Sequence, residues 1–136
     1  KLSKELFNQK VGKIVFLILF FYPIFFGHMS FNGKDTILTF CHVWIFYLVI
    51  KYLKNQNIKD KANNYIIYIG MLTALATSIN LVFVGTLIPI FLFVLIEIFF
   101  LKKFICNNFD KKKLYVDIGK IFLIFYLSLV LPYLEF

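Results

Sequence analysis

The stretch YIIYIGMLTALATSINLVFVGTLIPIFLFVLIEIFFL, residues 65–101, runs with a single charged side chain, Glu97. As one helix it would reach roughly 55 Å at 1.5 Å per residue. The hydrocarbon core of a bilayer is only about 30 Å thick, so a membrane could not hold the stretch as one rod. It must fold back on itself. Val84–Gly85–Thr86, followed by Pro89 in a first-turn position, is the natural break. A third helix is therefore expected over 65–84 and a fourth over 87–101.

The composition names the solvent. Of 136 residues, 61% are hydrophobic and 21% aromatic, and the mean hydropathy is +0.84. A soluble domain of this length has too little interior to enclose so many Phe, Ile and Leu side chains. Lipid must solvate them, which predicts an all-α integral membrane protein. Three further apolar runs, residues 14–30, 36–50 and 121–136, bring the expected count to five transmembrane helices. Short runs extend across the bilayer through flanking Tyr and Lys side chains. The hairpins at 31–35 and 84–86 are tight, and no repeat or linker interrupts the chain. Residues 1–136 are thus expected to form one compact bundle. Lys1 is an unusual first residue, so residues before it are expected and the chain can be a fragment of a longer protein.

Lysine placement gives the bundle an orientation. All 15 basic residues are lysine. Fourteen of them fall in 1–13, 51–64 and 102–120, and only Lys34 falls in a loop of the opposite set. Cytoplasmic loops gather basic residues, so the N-terminus is predicted inside and the C-terminus outside. The formal charge of +8 does not point to nucleic acid. Such binders favour arginine and gather charge on a soluble face, whereas these lysines sit at the ends of apolar runs, as topology signals and lipid headgroup contacts do. Abundant Phe, Ile, Asn, Lys and Tyr, with no Arg, reflect A/T-rich codons. The expected location is the cytoplasmic membrane of a low-GC bacterium, or alternatively the mitochondrial inner membrane.

Polar residues inside the spans are the candidates for function. Gly70, Ala74 and Ser78 recur every four residues, with Thr73 and Thr77 beside them. Small residues let helix backbones approach closely, so helix packing is the expected role of this stripe and a solute path the alternative. Glu97 lies about one turn, roughly 6 Å, inside the lysine-rich boundary. An ionised carboxylate there is costly unless paired, and Lys51, Lys102 and Lys120 are the expected neutralising partners. The sharper reading makes Glu97 a proton- or cation-carrying group. Asn80 is expected to hydrogen-bond to a neighbouring helix near His28 or His42.

His28 and His42, on adjacent helices, invite haem or a metal. They fall at different depths, with no carboxylates behind them, so neither cofactor is expected. Cys41 and Cys106 form no pair motif. No Ser-His-Asp set, H-E-x-x-H or glycine-rich phosphate loop occurs, and the chain is expected not to be an enzyme. The leading expectation is a small non-catalytic subunit that assembles with other membrane proteins. The alternatives are a homo-oligomeric channel or transporter, and a membrane-embedded sensor or immunity protein.

Overall fold

Long apolar stretches favour helices in lipid because each helix satisfies its own backbone hydrogen bonds. The computed structural model follows that rule. It describes residues 1–22, 32–106 and 109–134, with side chains through residue 130. Every regular element among them is helical. In chain order these are α1 (Leu2–Leu6), α2 (Gln9–Phe21), α3 (Gly33–Asn55), α4 (Lys59–Ile79), α5 (Phe83–Thr86), α6 (Ile88–Ile96), a π-helical turn (Glu97–Leu101) and α7 (Lys111–Leu134).

Local chemistry sets the helix ends. The Asn8 side chain accepts a 2.9 Å hydrogen bond from the Val11 amide and caps α2. Asn32 precedes α3 and donates to the Asp35 carboxylate, while the Thr39 hydroxyl bonds back to the Asp35 carbonyl at 2.7 Å. The α3 helix is longer than its apolar run, 36–50, because Lys51–Asn55 continue it. There the Asn55 amide bonds the Lys51 carbonyl at 2.9 Å. The α7 helix likewise starts at Lys111, ten residues before the apolar run 121–136. Hydropathy marks where lipid begins and not where a helix does.

The break in the long stretch differs from expectation. The third helix ends at Ile79 rather than at residue 84. Asn80 takes extended backbone angles, and its side chain accepts the Val82 amide at 3.0 Å. That local bond competes with the next helical turn, and the single-turn α5 fills the gap before Pro89 opens α6. At its other end α6 widens. The Lys102 amide reaches back five residues to the Glu97 carbonyl at 2.9 Å, and Lys102 closes the turn with φ 48° and ψ 26°. A lysine in this left-handed conformation costs about 1–2 kcal/mol.

Two segments, Gly33–Asn55 and Phe83–Leu101, are long and apolar enough to cross a membrane, with mean hydropathies of 1.6 and 2.6. Only 33% and 17% of their most apolar windows are buried within the protein. Most residues of each window therefore keep some of their surface open.

The α4 helix lies between α3 and α7. Cys41, Ile45 and Leu48 of α3 pack with Ile69 and Ala76 of α4, Phe83 of α5 and Ile90 of α6. Phe46 meets Phe93 edge-on at 4.9 Å, joining α3 to α6. A second cluster of Tyr52, Leu53, Ala62 and Ile66 lies nearer the lysine-rich end.

Candidate functional site

Buried Tyr52, Gln56 and Asp117 gather where α3 ends and α7 begins. Tyr52 and Gln56, the residue that caps α3, are one turn apart, so both side chains face the same neighbour. The Tyr52 hydroxyl donates to Asp117 at 2.8 Å, and Lys120 donates to the other Asp117 oxygen at 2.9 Å. Asp117 is 1% exposed. A buried carboxylate is tolerated when paired and hydrogen-bonded, and Asp117 has both supports. Gln56 ties the next layer together. Its amide nitrogen bonds the Tyr52 hydroxyl at 3.1 Å and the Asp110 carbonyl at 3.0 Å, and its oxygen accepts the Asp110 amide at 2.8 Å. Lys113 donates to the Gln56 carbonyl at 2.6 Å. This network pins the segment before α7 to the end of α3.

Beside it, Glu5 of α1 accepts from Lys51 at 2.6 Å and Lys54 at 2.9 Å. The two ammonium groups, Lys51 first, hold the Glu5 carboxyl down at about 2, well below its usual 4.5. Lysines from two separate sequence segments thus meet at one end of the molecule, with Glu5 supplied by a third.

Glu97 is fully buried. One of its oxygens accepts the Phe104 amide, closing the turn after α6. The other oxygen has no hydrogen-bond partner among the described residues. The lysine partners expected for Glu97 are engaged elsewhere, Lys51 with Glu5 and Lys120 with Asp117. Lys102 offers Glu97 its backbone amide, through the carbonyl. Competition explains the outcome for two of them: Lys51 and Lys120 each pair with a carboxylate while staying partly exposed, and Lys102 is exposed without one.

The remaining candidates scatter. Thr73 and Thr77 are buried, and their hydroxyls bond back to the Ile69 and Thr73 carbonyls at 2.7 and 2.8 Å. Gly70 lies against α7, where an added Cβ would come within 2.7 Å of Ile124 Cγ2. Ala74 is buried, whereas Ser78 is exposed and bonds the Leu75 carbonyl. With Met71, Leu81 and Ser128 it borders an open groove between α4 and α7. Asn80 is exposed and bonds locally to Val82 instead of to another helix. His42 is half-buried, its ring edge-on to Phe83 at 6.2 Å. His28 lies outside the described residues. Among those residues, no three His, Cys, Asp or Glu side chains form a group that could hold a metal.

Asp117, Tyr52 and Gln56 escaped the sequence reading because hydropathy places them outside the apolar runs. The available signal was helical spacing: Lys113, Asp117 and Lys120 share one face of α7, as Tyr52 and Gln56 share one face at the C-terminal end of α3.

No curated protein and no solved structure matches the chain. Residues 1–132 do match a protein family, described as dolichyl-phosphate-mannose-protein mannosyltransferase. That match overturns the expectation that the chain is not an enzyme, because the family is one of glycosyltransferases. The expectation rested on missing hydrolase triads, metal motifs and phosphate loops, and none of these is required to pass a sugar from one oxygen to another. Together with the two apolar helical segments, the match makes this a membrane protein. With all but its last four residues inside the matched range, the chain belongs to the dolichyl-phosphate-mannose-protein mannosyltransferase family.

Proposed function

We propose that the chain forms part of the membrane-embedded body of a glycosyltransferase that moves a mannosyl group from a dolichyl-phosphate carrier to a protein. The observation that carries this reading is the family match over residues 1–132. The chemistry needs a group that takes the proton of the acceptor hydroxyl as the bond from sugar to phosphate breaks. Carboxylates suit that role. Among the described ones, Glu5 and Asp117 are held by lysines and Asp35, Asp60 and Asp110 are exposed to the surroundings, whereas the buried Glu97 keeps one oxygen without a partner. Glu97 is therefore the first carboxylate to replace.

The test is transfer of radiolabelled mannose from dolichyl-phosphate mannose to acceptor protein in membranes containing the full-length protein. Transfer above that of empty membranes is expected, and none above background would overturn the reading. Within an active sample, loss of transfer in Glu97→Gln with normal membrane levels would support a chemical role. Unchanged transfer would assign Glu97 to the turn after α6.

The finer arrangement is proposed on the same footing. The chain crosses the bilayer five times with its N-terminus inside, in the cytoplasmic membrane of a low-GC bacterium or in a mitochondrial inner membrane. What supports the orientation is the meeting of Lys51, Lys54, Lys113 and Lys120 at one end. We also propose that it works beside other membrane-embedded segments. The α2 helix and the segment Ile88–Leu101 turn Phe16, Phe20, Phe21, Phe91 and Phe100 outward, which gives partners or lipid a large contact area.

A further inference from the structure

The lysines at the polar end fall into two groups. Lys51 and Lys54 are paired with Glu5, Lys120 with Asp117, and Lys113 with the Gln56 carbonyl. Lys102, Lys103, Lys111 and Lys112 are exposed, and none of them has a carboxylate in ion-pair range among the described residues. The nearest acidic residue in sequence, Asp110, spends one carboxylate oxygen on the Lys112 backbone amide at 2.8 Å.

These four lysines share a rim with exposed apolar side chains. Phe99, Phe100 and Leu101 immediately precede Lys102, and Phe100, at 81% exposed, is the most open large apolar side chain described. Lys111 places its ammonium 5.2 Å over the Phe99 ring, which brings the start of α7 to the π-helical turn. Lys103 stands 5.5 Å over Phe104, a ring that Lys54 also covers at 5.1 Å. Rings set beside unpaired ammonium groups suit the boundary where acyl chains meet headgroups. Uncompensated positive charge at that depth attracts anionic lipid.

We propose that Lys102, Lys103, Lys111 and Lys112, set around Phe99 and Phe100, form a binding surface for the phosphate headgroups of anionic phospholipids in one leaflet. The rings seat the surface in the acyl region, and the lysines meet the phosphates above it. The surface is separate from the Tyr52–Gln56–Asp117 network, whose lysines are already engaged.

The test reconstitutes the full chain in phosphatidylcholine vesicles carrying spin-labelled phosphatidylglycerol or spin-labelled phosphatidylcholine. The fraction of motionally restricted label reports association. About fivefold preference for phosphatidylglycerol is expected at low ionic strength, falling toward unity in half-molar salt as screening takes hold. Lys102→Gln, Lys103→Gln, Lys111→Gln and Lys112→Gln combined should abolish the preference. The same charge loss at Lys10, Lys13, Lys59 and Lys61 should leave most of it. Equal loss in both variants would overturn the proposal in favour of bulk charge. Preference in the native chain that ignores salt would overturn it without any variant, so a folding failure cannot shelter it. Loss of the preference on adding millimolar inorganic phosphate would also overturn it, by identifying a site for the free anion.

Discussion

Gly70 is where a single atom has the most leverage. Its missing Cβ lets α4 approach α7 until Ile124 Cγ2 and Cβ sit 2.7 and 3.0 Å from the place a Cβ would occupy. Gly70→Ala should therefore destabilise the protein by about 1–3 kcal/mol through overpacking, despite alanine's better helix propensity. Ile124→Ala alone should also destabilise, by leaving a gap. The double variant should recover part of the sum, a coupling that thermal unfolding in detergent would register as non-additivity. If Gly70→Ala proves neutral, the helices are not in close contact there. A second residue with such reach is Tyr52, whose hydroxyl serves both Asp117 and Gln56. Tyr52→Phe strips one partner from a buried carboxylate and should cost about 1–3 kcal/mol, whereas Tyr115→Phe, at an exposed position, should cost nothing measurable in the same assay.

At the scale of elements, α1 is the one whose attachment depends on charge. None of its five residues is fully buried, and Glu5 between Lys51 and Lys54 ties it to α3. Lys1 adds a contact over the Trp44 ring at 5.4 Å. The Glu5 carboxyl is held lower when docked, at about 2 instead of 4.5, so the ion pair's contribution to docking is fully present above pH 4.5 and is lost as pH falls toward 2. The pair is partly exposed, which limits it to roughly 0.2–1 kcal/mol. Glu5→Gln should accordingly raise amide exchange in residues 1–8 at neutral pH and leave α3 protected. In the unsubstituted protein the same loss of protection, taken relative to the intrinsic exchange rate at each pH, should come only below pH 4.5. A protection factor in these residues independent of pH would remove the ion pair from the account.

Elements also show how much could be read beforehand. Apolar runs located α3 and the stretch from α4 through the π-helical turn, because lipid-facing surface must be apolar whatever the tertiary packing. They placed the end of α4 five residues late, since the bond from Asn80 to Val82 is a local competition that hydropathy does not register. Glu97 was recognisable as an unusual carboxylate. Its partner was not, because Phe104 reaches it through a backbone amide after a turn no periodicity announces. Asp117 went unnoticed for the opposite reason: it sits among lysines and looks solvated, yet the fold closes over it.

For the whole molecule, the decisive quantity is which side of the bilayer each loop occupies. With Cys41 and Cys106 replaced, Lys34→Cys should react with an impermeant thiol reagent from one side. Lys59→Cys and Lys112→Cys should react only from the other. Labelling of all three from the same side would refute the five-crossing arrangement proposed above. The enzymatic reading came from family membership and not from any triad or metal motif. Most of the chain is apolar and reports on the bilayer, and little of it on a reaction.

The wide turn at Glu97–Leu101 holds one residue more than an ordinary helical turn of the same span. That extra residue is taken up inside the turn, so excising Phe99 or Phe100 would return ordinary winding with the chain beyond nearly in its present direction. What would go is the widened ring that the Lys102 amide closes on the Glu97 carbonyl. The greasy run would tolerate the shortening in its course through lipid and register it only in the bonds that end it.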